Sequence, residues 1–224
     1  MSVGGRRDAG AVTTSLGDLN GRAVAYFRLE GGKHRGAIGP AEGDALARLV
    51  HLATEQGVPI VGLLATSGAD VHEGVASLHA WGIVARALSA ASGQVPILFA
   101  VTGPAVSGPA LMLGLADFVV MTPDAFAYVS GPDGVLAFTG VAVDAPGLGG
   151  AAVHAHRTGL AALIARDAED CLAAVGDLLD YLPANHMEDP PTVACDDPTD
   201  RLCRRAAEIV PSSAASSYDM RRVI

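Results

Sequence analysis

Apolar positions along this chain follow two rhythms. Short continuous apolar runs, Ile60 to Ala65 and Val95 to Val101, read as strands buried on both faces. Between and after them the spacing is helical. Pro40 through Gln56 places Leu46, Leu49, Val50 and Ala53 on one face and is broken by Gly57-Val58-Pro59. Val71 to Ala91, carrying Val75, Leu78, Ile83, Ala87 and Leu88, predicts one long helix. A turn at Gly17-Asp18-Leu19-Asn20-Gly21 leads into the strand Arg22 to Leu29. The order then continues as helix Ser107 to Leu115, strand Asp117 to Met121, short strand Phe126 to Val129, short helix Gly131 to Phe138, strand Leu163-Ile164 and helix Ala168 to Tyr181. Strands alternating with helices predict parallel crossover units and an α/β fold.

The two ends break the rhythm. Met1 to Leu16, rich in Gly, Arg, Thr and Ser, predicts a flexible lead-in, so the folded domain is expected over residues 17–183. Residues 184–224 are rich in Pro, Asp and Ser and predict an extension with one helix, Asp197 to Ile209. The chain has 224 residues and 50% hydrophobic content, enough for a substantial core. A net charge of -9, without any block of Lys or Arg, excludes a nucleic-acid footprint. No apolar run reaches the roughly 18 residues a membrane span needs, and no signal-peptide centre precedes Asp18, so a cytoplasmic protein is expected. Cys171, Cys195 and Cys203 are too scattered for a disulfide framework or structural zinc.

Chemistry concentrates at Gly103-Pro104-Ala105-Val106-Ser107-Gly108-Pro109-Ala110, between one apolar strand and the next helix. Small residues let a ligand reach the main chain, and N–H groups opening a helix are free to bind an anion or a developing oxyanion. That predicts chemistry on a carbonyl.

The chain resembles the N-terminal half of the carboxyltransferase β subunit of biotin-dependent acyl-CoA carboxylases of the propionyl-CoA carboxylase type. The residues that carry this are Gly17 to Arg22, Ser67-Gly68-Ala69 with Glu73-Gly74-Val75-Ala76-Ser77-Leu78, Gly103-Pro104 through Asp117-Phe118, and Ser130-Gly131-Pro132-Asp133. Further along come Leu148-Gly149-Gly150-Ala151 with His154, Asp180-Tyr181-Leu182-Pro183, Asp197-Pro198-Thr199-Asp200-Arg201-Leu202, and Tyr218-Asp219-Met220 with Val223-Ile224. Their shared order and spacing covers nearly everything from residue 17 onward.

The resemblance implies a crotonase-like (ClpP/crotonase) ββα spiral. It implies that the amides of Ser107 and Gly108, at the family's Gly-Gly position, stabilise the enolate oxygen of an acyl-CoA thioester. Gly36 and Ala37 fall where the family places the loop beside the acyl group, and Gly68, Ala69, Gly103 and Pro109 complete the implied substrate-binding set. Ser in place of Gly at 107 requires a negative local φ. The family's Ser-Gly-Gly-Ala-Arg is one residue shorter here, with Asp70 in place of its basic residue. The implied partners are a C-terminal carboxyltransferase half, which the chain as given does not include, and biotin carboxylase and carrier subunits. Biotin is then carried by a partner protein, homo- or hetero-oligomers are expected, and no metal is expected on this chain. Two rival readings stand beside this one: a free-standing decarboxylase of malonyl- or methylmalonyl-type thioesters, and a non-catalytic assembly subunit.

Other chemistry-bearing residues read more plainly. His72-Glu73 suits a helix-start cap better than a general base. His154 and His156 would share a face on a strand, yet lack a third ligand nearby and read as structural. Asp189, Asp196, Asp197 and Asp200 suit solubility and capping. Trp81 is expected in the core or at a subunit interface, without a stacking role.

Overall fold

The structure, a computed structural model, describes residues 2–32, 34–198 and 200–223. Thr199 and Ile224, both in motifs quoted above, lie outside them. The chain divides into two units, Met1–Pro191 and Thr192–Ile224.

The first unit opens on a meander: β1 (Ser2–Ala9), β2 (Val12–Leu19) and β3 (Arg22–Leu29) pair antiparallel in that order. Asn20 (φ 54°) and Gly21 (φ 82°) form the two-residue turn between β2 and β3, where two positive φ values match the twist of the strands. The expected flexible lead-in is therefore corrected. Val12, Thr14 and Ser15 are buried, and β2 pairs with β3 along its full length. Half-buried strands tolerate Thr, Ser and Arg on their outer face, and composition alone misread them as a linker.

Beyond β3 the chain winds through α1 (Pro40–Gln56), β4 (Ile60–Thr66), α2 (Val75–Ala91), β5 (Ile97–Val106), a 3₁₀ helix (Gly108–Leu115), β6 (Phe118–Met121) and β7 (Phe126–Tyr128). Then come α3 (Pro132–Thr139), α4 (Ala145–Gly149), α5 (Ala151–Val153), a π-helical turn (His154–Thr158), β8 (Leu163–Ile164) and α6 (Ala168–Leu179). β3, β4, β5, β6 and β8 run parallel in that spatial order, and β7 pairs with the far end of β5.

Strand residues alternate between two cores. Ile60, Leu64, Ile97, Phe99, Val101, Val119 and Met121 face α1 and α2. Val61, Leu63, Leu98, Ala100 and Val120 face Cys171, Val175 and Leu179 of α6. That double burial explains the continuous apolar runs in the sequence. The Arg22 guanidinium donates to the carbonyls of Leu179 and Leu182, the latter at 2.6 Å, tying the start of β3 to the end of α6.

α1 matches its expected span because its ends are coded locally. Pro40 occupies its first turn, Glu42 accepts from Gly39 N–H at 3.1 Å, and Gly57 closes it with φ 64°. Three expected elements change. The helix expected over Val71 to Ala91 is broken at Gly74 (φ 54°), leaving a 3₁₀ turn Val71–Glu73 ahead of α2. Val75 and Leu78 then stand exposed while Ser77, Ala80, Val84 and Leu88 turn inward. β5 continues through Gly103 and Pro104 to Val106, because β7 offers a new parallel partner where β6 ends. Among the described residues of the second unit only α7 (Ala206–Ile209) and a 3₁₀ turn (Met220–Arg222) form, in place of a helix over Asp197 to Ile209. Its Leu202 stays exposed, and a short helix without an apolar face to bury is marginal.

α1 and α2 meet where Gly43 lies against Ala80. A Cβ at 43 would stand 2.8 Å from the Ala80 carbonyl oxygen, a main-chain atom that cannot rotate away. Gly43→Ala gains about 1 kcal/mol of helix propensity, whereas overpacking costs about 1–3 kcal/mol. The expected net result is destabilisation, read as a lower urea midpoint with an unchanged slope. A higher midpoint would contradict the close approach.

Candidate active site

Three loops converge at the carboxyl ends of β4 and β5, and glycines set how closely they approach. Gly36 has φ 74°, and a Cβ there would stand 2.2 Å from the Ala65 carbonyl oxygen. Gly68 has φ 103°, and its Cβ would meet the Ser107 Cβ at 2.7 Å. The loop before α1 is thus laid on the loop after β4, and that loop is laid on the end of β5. Hydrogen bonds lock the first contact: Ser67 N–H donates to Arg35 O (3.0 Å), Ile38 N–H to Gly68 O (2.9 Å) and Asp70 N–H to Ile38 O (2.9 Å). The Thr66 hydroxyl accepts from Gly68 N–H at 3.1 Å, and Ser77 Oγ donates to Ile38 O at 2.8 Å.

This ladder decides which amides remain for a ligand. Gly36 N–H donates to Gly31 O and Ala37 N–H to His34 O, so both amides expected beside an acyl group are occupied. Ser107 N–H donates to Tyr128 O at 3.0 Å and is occupied as well. Among the described residues, no hydrogen bond takes up the Ala69 N–H, which faces out of the Ile38 to Ala69 bridge. Gly108 opens a helix, where its N–H has no intrahelical acceptor. Pro109 follows without an N–H, and Ala110 N–H turns back to Ser107 O. Of the sequence-derived set, the structure therefore leaves Ala69 and Gly108 with free amides on adjoining loops. Gly103 lies within β5, where its missing side chain admits Ala65, and Pro109 is buried.

Ser107 carries φ 66° and ψ -155°, a region essentially reserved for glycine. The negative φ that the sequence reading required is not what forms. Pairing with β7 on one side and Gly68 on the other holds Ser107 there.

Two side chains at this place were not legible in the sequence. Trp81 on α2 turns its indole edge toward Gly108, whose Cβ would stand 3.0 Å from Trp81 Nε1. His34, on the loop before α1, directs Nδ1 to Asp70 Oδ2 at 2.6 Å, and its ring lies 4.7 Å from that of His72. The His34 imidazole beside Asp70 holds its carboxyl below the usual carboxylate range, helped by the His72 backbone N–H at 3.0 Å. His34 and Asp70 line a recess of about 480 Å³ that Ala37, Glu42 and Glu73 also border. Nothing periodic links residue 34 to residue 70. The sequence reading gives the helix-start cap to the acid of the His72-Glu73 pair; in the structure Asp70 caps the turn on which both sit. His154 accounts for both ring nitrogens, with Ala127 O and Thr158 Oγ1 at 2.9 Å each, and with His156 it lies on a π-helical turn, not a strand.

With this geometry in place, comparison with known proteins fixes the class. Residues 4–224 match the carboxyl transferase domain profile, and the chain belongs to that family. It is 34% identical over 214 residues to a Haloferax mediterranei propionyl-CoA carboxylase, carboxyltransferase subunit, covering 95% of this chain and 42% of that protein. It is 32% identical to the methylmalonyl-CoA decarboxylase subunit alpha of Veillonella parvula, with the same coverage. The crystal structure of transcarboxylase 12S, in a complex with methylmalonyl-coenzyme A and methylmalonic acid, superposes with a TM-score of 0.79 at 27% identity, over 95% of this chain and 41% of that one. The expected crotonase-like α/β fold is the one observed. The chain spans about two-fifths of the length of these relatives.

Ser107→Gly relieves backbone strain of about 1–3 kcal/mol and gives back about 0.4–1 kcal/mol through the more flexible unfolded chain. The variant is expected to melt higher, by about 2–4 °C for each net kcal/mol. A lower melting temperature would rule out strain at this residue.

Proposed function

We propose that this chain is a catalytic carboxyltransferase-type domain of the acyl-CoA carboxylase class, which holds an acyl thioester by its carbonyl oxygen and stabilises the derived enolate through Gly108 N–H and Ala69 N–H. The observation that carries this reading is the pair of unused amides at Ala69 and Gly108 on two loops in close contact, while the N–H groups of Gly36, Ala37, Gly68, Asp70 and Ser107 are all engaged.

When the α-carbon of a thioester gives up a proton or a carboxyl group, negative charge moves onto the carbonyl oxygen. Donors fixed in advance stabilise that charge without reorganising, which favours the transition state over the ground state. Carboxylation and decarboxylation pass through the same enolate, so the same two amides serve both directions. Carboxybiotin on a carrier protein is the co-substrate that supplies the carboxyl group. Trp81, lying against Gly108, walls the site on the α2 side and limits water there. The acyl group is of the propionyl or methylmalonyl type, in line with what the relatives are named for.

A partner surface accompanies the site. Val75 and Leu78 of α2 are exposed, and on α3 Leu136 is exposed and Phe138 at its end is 93% exposed, large apolar side chains to leave in water. We read these exposed side chains as points of contact for a complementary carboxyltransferase half, with biotin carboxylase and carrier subunits completing the assembly.

The test uses Gly108→Pro, which deletes the N–H, and Gly108→Ala, which keeps it while placing the same Cβ against Trp81. Each chain is incubated with malonyl-CoA and methylmalonyl-CoA, alone and with biotin carrier and carboxylase partners, and acetyl-CoA and propionyl-CoA are followed by mass spectrometry. Losing one oxyanion donor is expected to lower turnover by about 10²–10³-fold in the Pro variant, with the Ala variant close to the parent. Equal losses in both would remove the amide from the mechanism. Turnover without biotin would make the chain a self-sufficient decarboxylase, and complex formation with no turnover under any condition would make it an assembly subunit.

A further inference from the structure

Next to Ala69, His34 and Asp70 on the wall of the recess join with His72 in a cluster that the carbonyl chemistry does not use. His34, Asp70 and His72 each offer a ligating atom, and the three atoms lie within 4.8 Å of one another. They come from two chain segments that the loop ladder fixes together. The His34 carbonyl accepts from Ser67 Oγ at 2.6 Å and from Ala37 N–H at 3.1 Å. Asp70 is pinned by its N–H to Ile38 O, and His72 by its own N–H to Asp70 Oδ1. The main chain is therefore already in place, and only side-chain rotation is needed to bring the three atoms onto one centre.

We propose that His34, Asp70 and His72 hold a divalent transition-metal ion, Zn²⁺ by its ligand chemistry, at the mouth of the recess. Two imidazoles and one carboxylate suit zinc, and disfavour Mg²⁺ or Ca²⁺, which take oxygen ligands. Ligands at about 2.0–2.1 Å from a tetrahedral zinc sit roughly 3.3 Å apart. His72 is exposed and free to swing inward, while His34 and Asp70, already at 2.6 Å, open slightly to admit the ion. Three protein ligands leave a fourth position open toward the recess, an arrangement typical of reactive rather than purely structural zinc. The acidic rim formed by Glu42 and Glu73 adds a field favourable to a cation. This site does not depend on the enolate reading, because none of its ligands is an oxyanion donor.

The test measures binding directly. All proteins carry Cys195→Ser and Cys203→Ser, since those exposed thiols could capture zinc elsewhere. After chelator treatment, ZnCl₂ is titrated calorimetrically, and CoCl₂ is followed by its visible absorption. A single saturable site is expected, with Co²⁺ bands of a tetrahedral centre that Zn²⁺ abolishes. His72→Ala changes an exposed side chain, and Asp70→Asn keeps the oxygen that caps the turn, so both should melt like the parent without metal. Each should weaken binding by more than the ~10–100-fold that losing an outer-shell partner costs, while His156→Ala leaves it unchanged. No saturable binding by the parent, or undiminished binding by His72→Ala, would overturn the proposal.

Discussion

The close approach of three loops across glycines, which leave no room for a side chain of their own, is the constraint on which the site depends. At Gly36 the Ala65 main chain, and at Gly68 the Ser107 Cβ with the Val106 carbonyl behind it, stand where a Cβ would be, so the loops can approach only because these residues have none. The same contact sets the hydrogen-bond pattern. The parallel bridge between Ile38 and Ala69 takes up the Gly68 carbonyl and the Asp70 N–H and leaves the Ala69 N–H between them turned outward. Which N–H groups face a ligand is therefore largely a consequence of strand-like geometry in the loops, with the Thr66 hydroxyl taking up the Gly68 N–H.

The sheet beneath makes that arrangement rigid. β4 and β5 are packed on both faces, by α1 and α2 on one side and by α6 on the other, so their carboxyl ends are not free to shift. β5 outlasts its neighbour β6 and is caught by β7, which carries the chain straight into Ser107 and over-determines its unusual backbone. Strain persists where the surroundings leave no alternative, and here it falls at the first residue before a free amide.

The sequence disclosed the elements whose ends or faces are coded locally. Pro40, Glu42 and Gly57 bound α1, and double-sided burial wrote β4 and the first half of β5 as unbroken apolar runs. It hid whatever depends on distant pairing. β1 and β2 look like a polar linker until β3 is beside them, and the second half of β5 looks like a loop until β7 is known. At the site, Gly108 was legible as the opening of a helix. Ser107 was misjudged because its amide is spent on Tyr128, a bond invisible without the fold. Ala69 was singled out for substrate contact, but its free N–H emerges only from the bridge to Ile38. His34 stood 36 residues from Asp70 with nothing in the spacing to join them.

Trp81 is the sole tryptophan of the chain, and its indole edge rests against Gly108. Its fluorescence is therefore a single-source signal arising at the candidate site, with no second emitter to dilute it. The fold has placed an optical reporter beside the group whose occupancy matters most, so ligand entry and exit can be timed on the unlabelled protein.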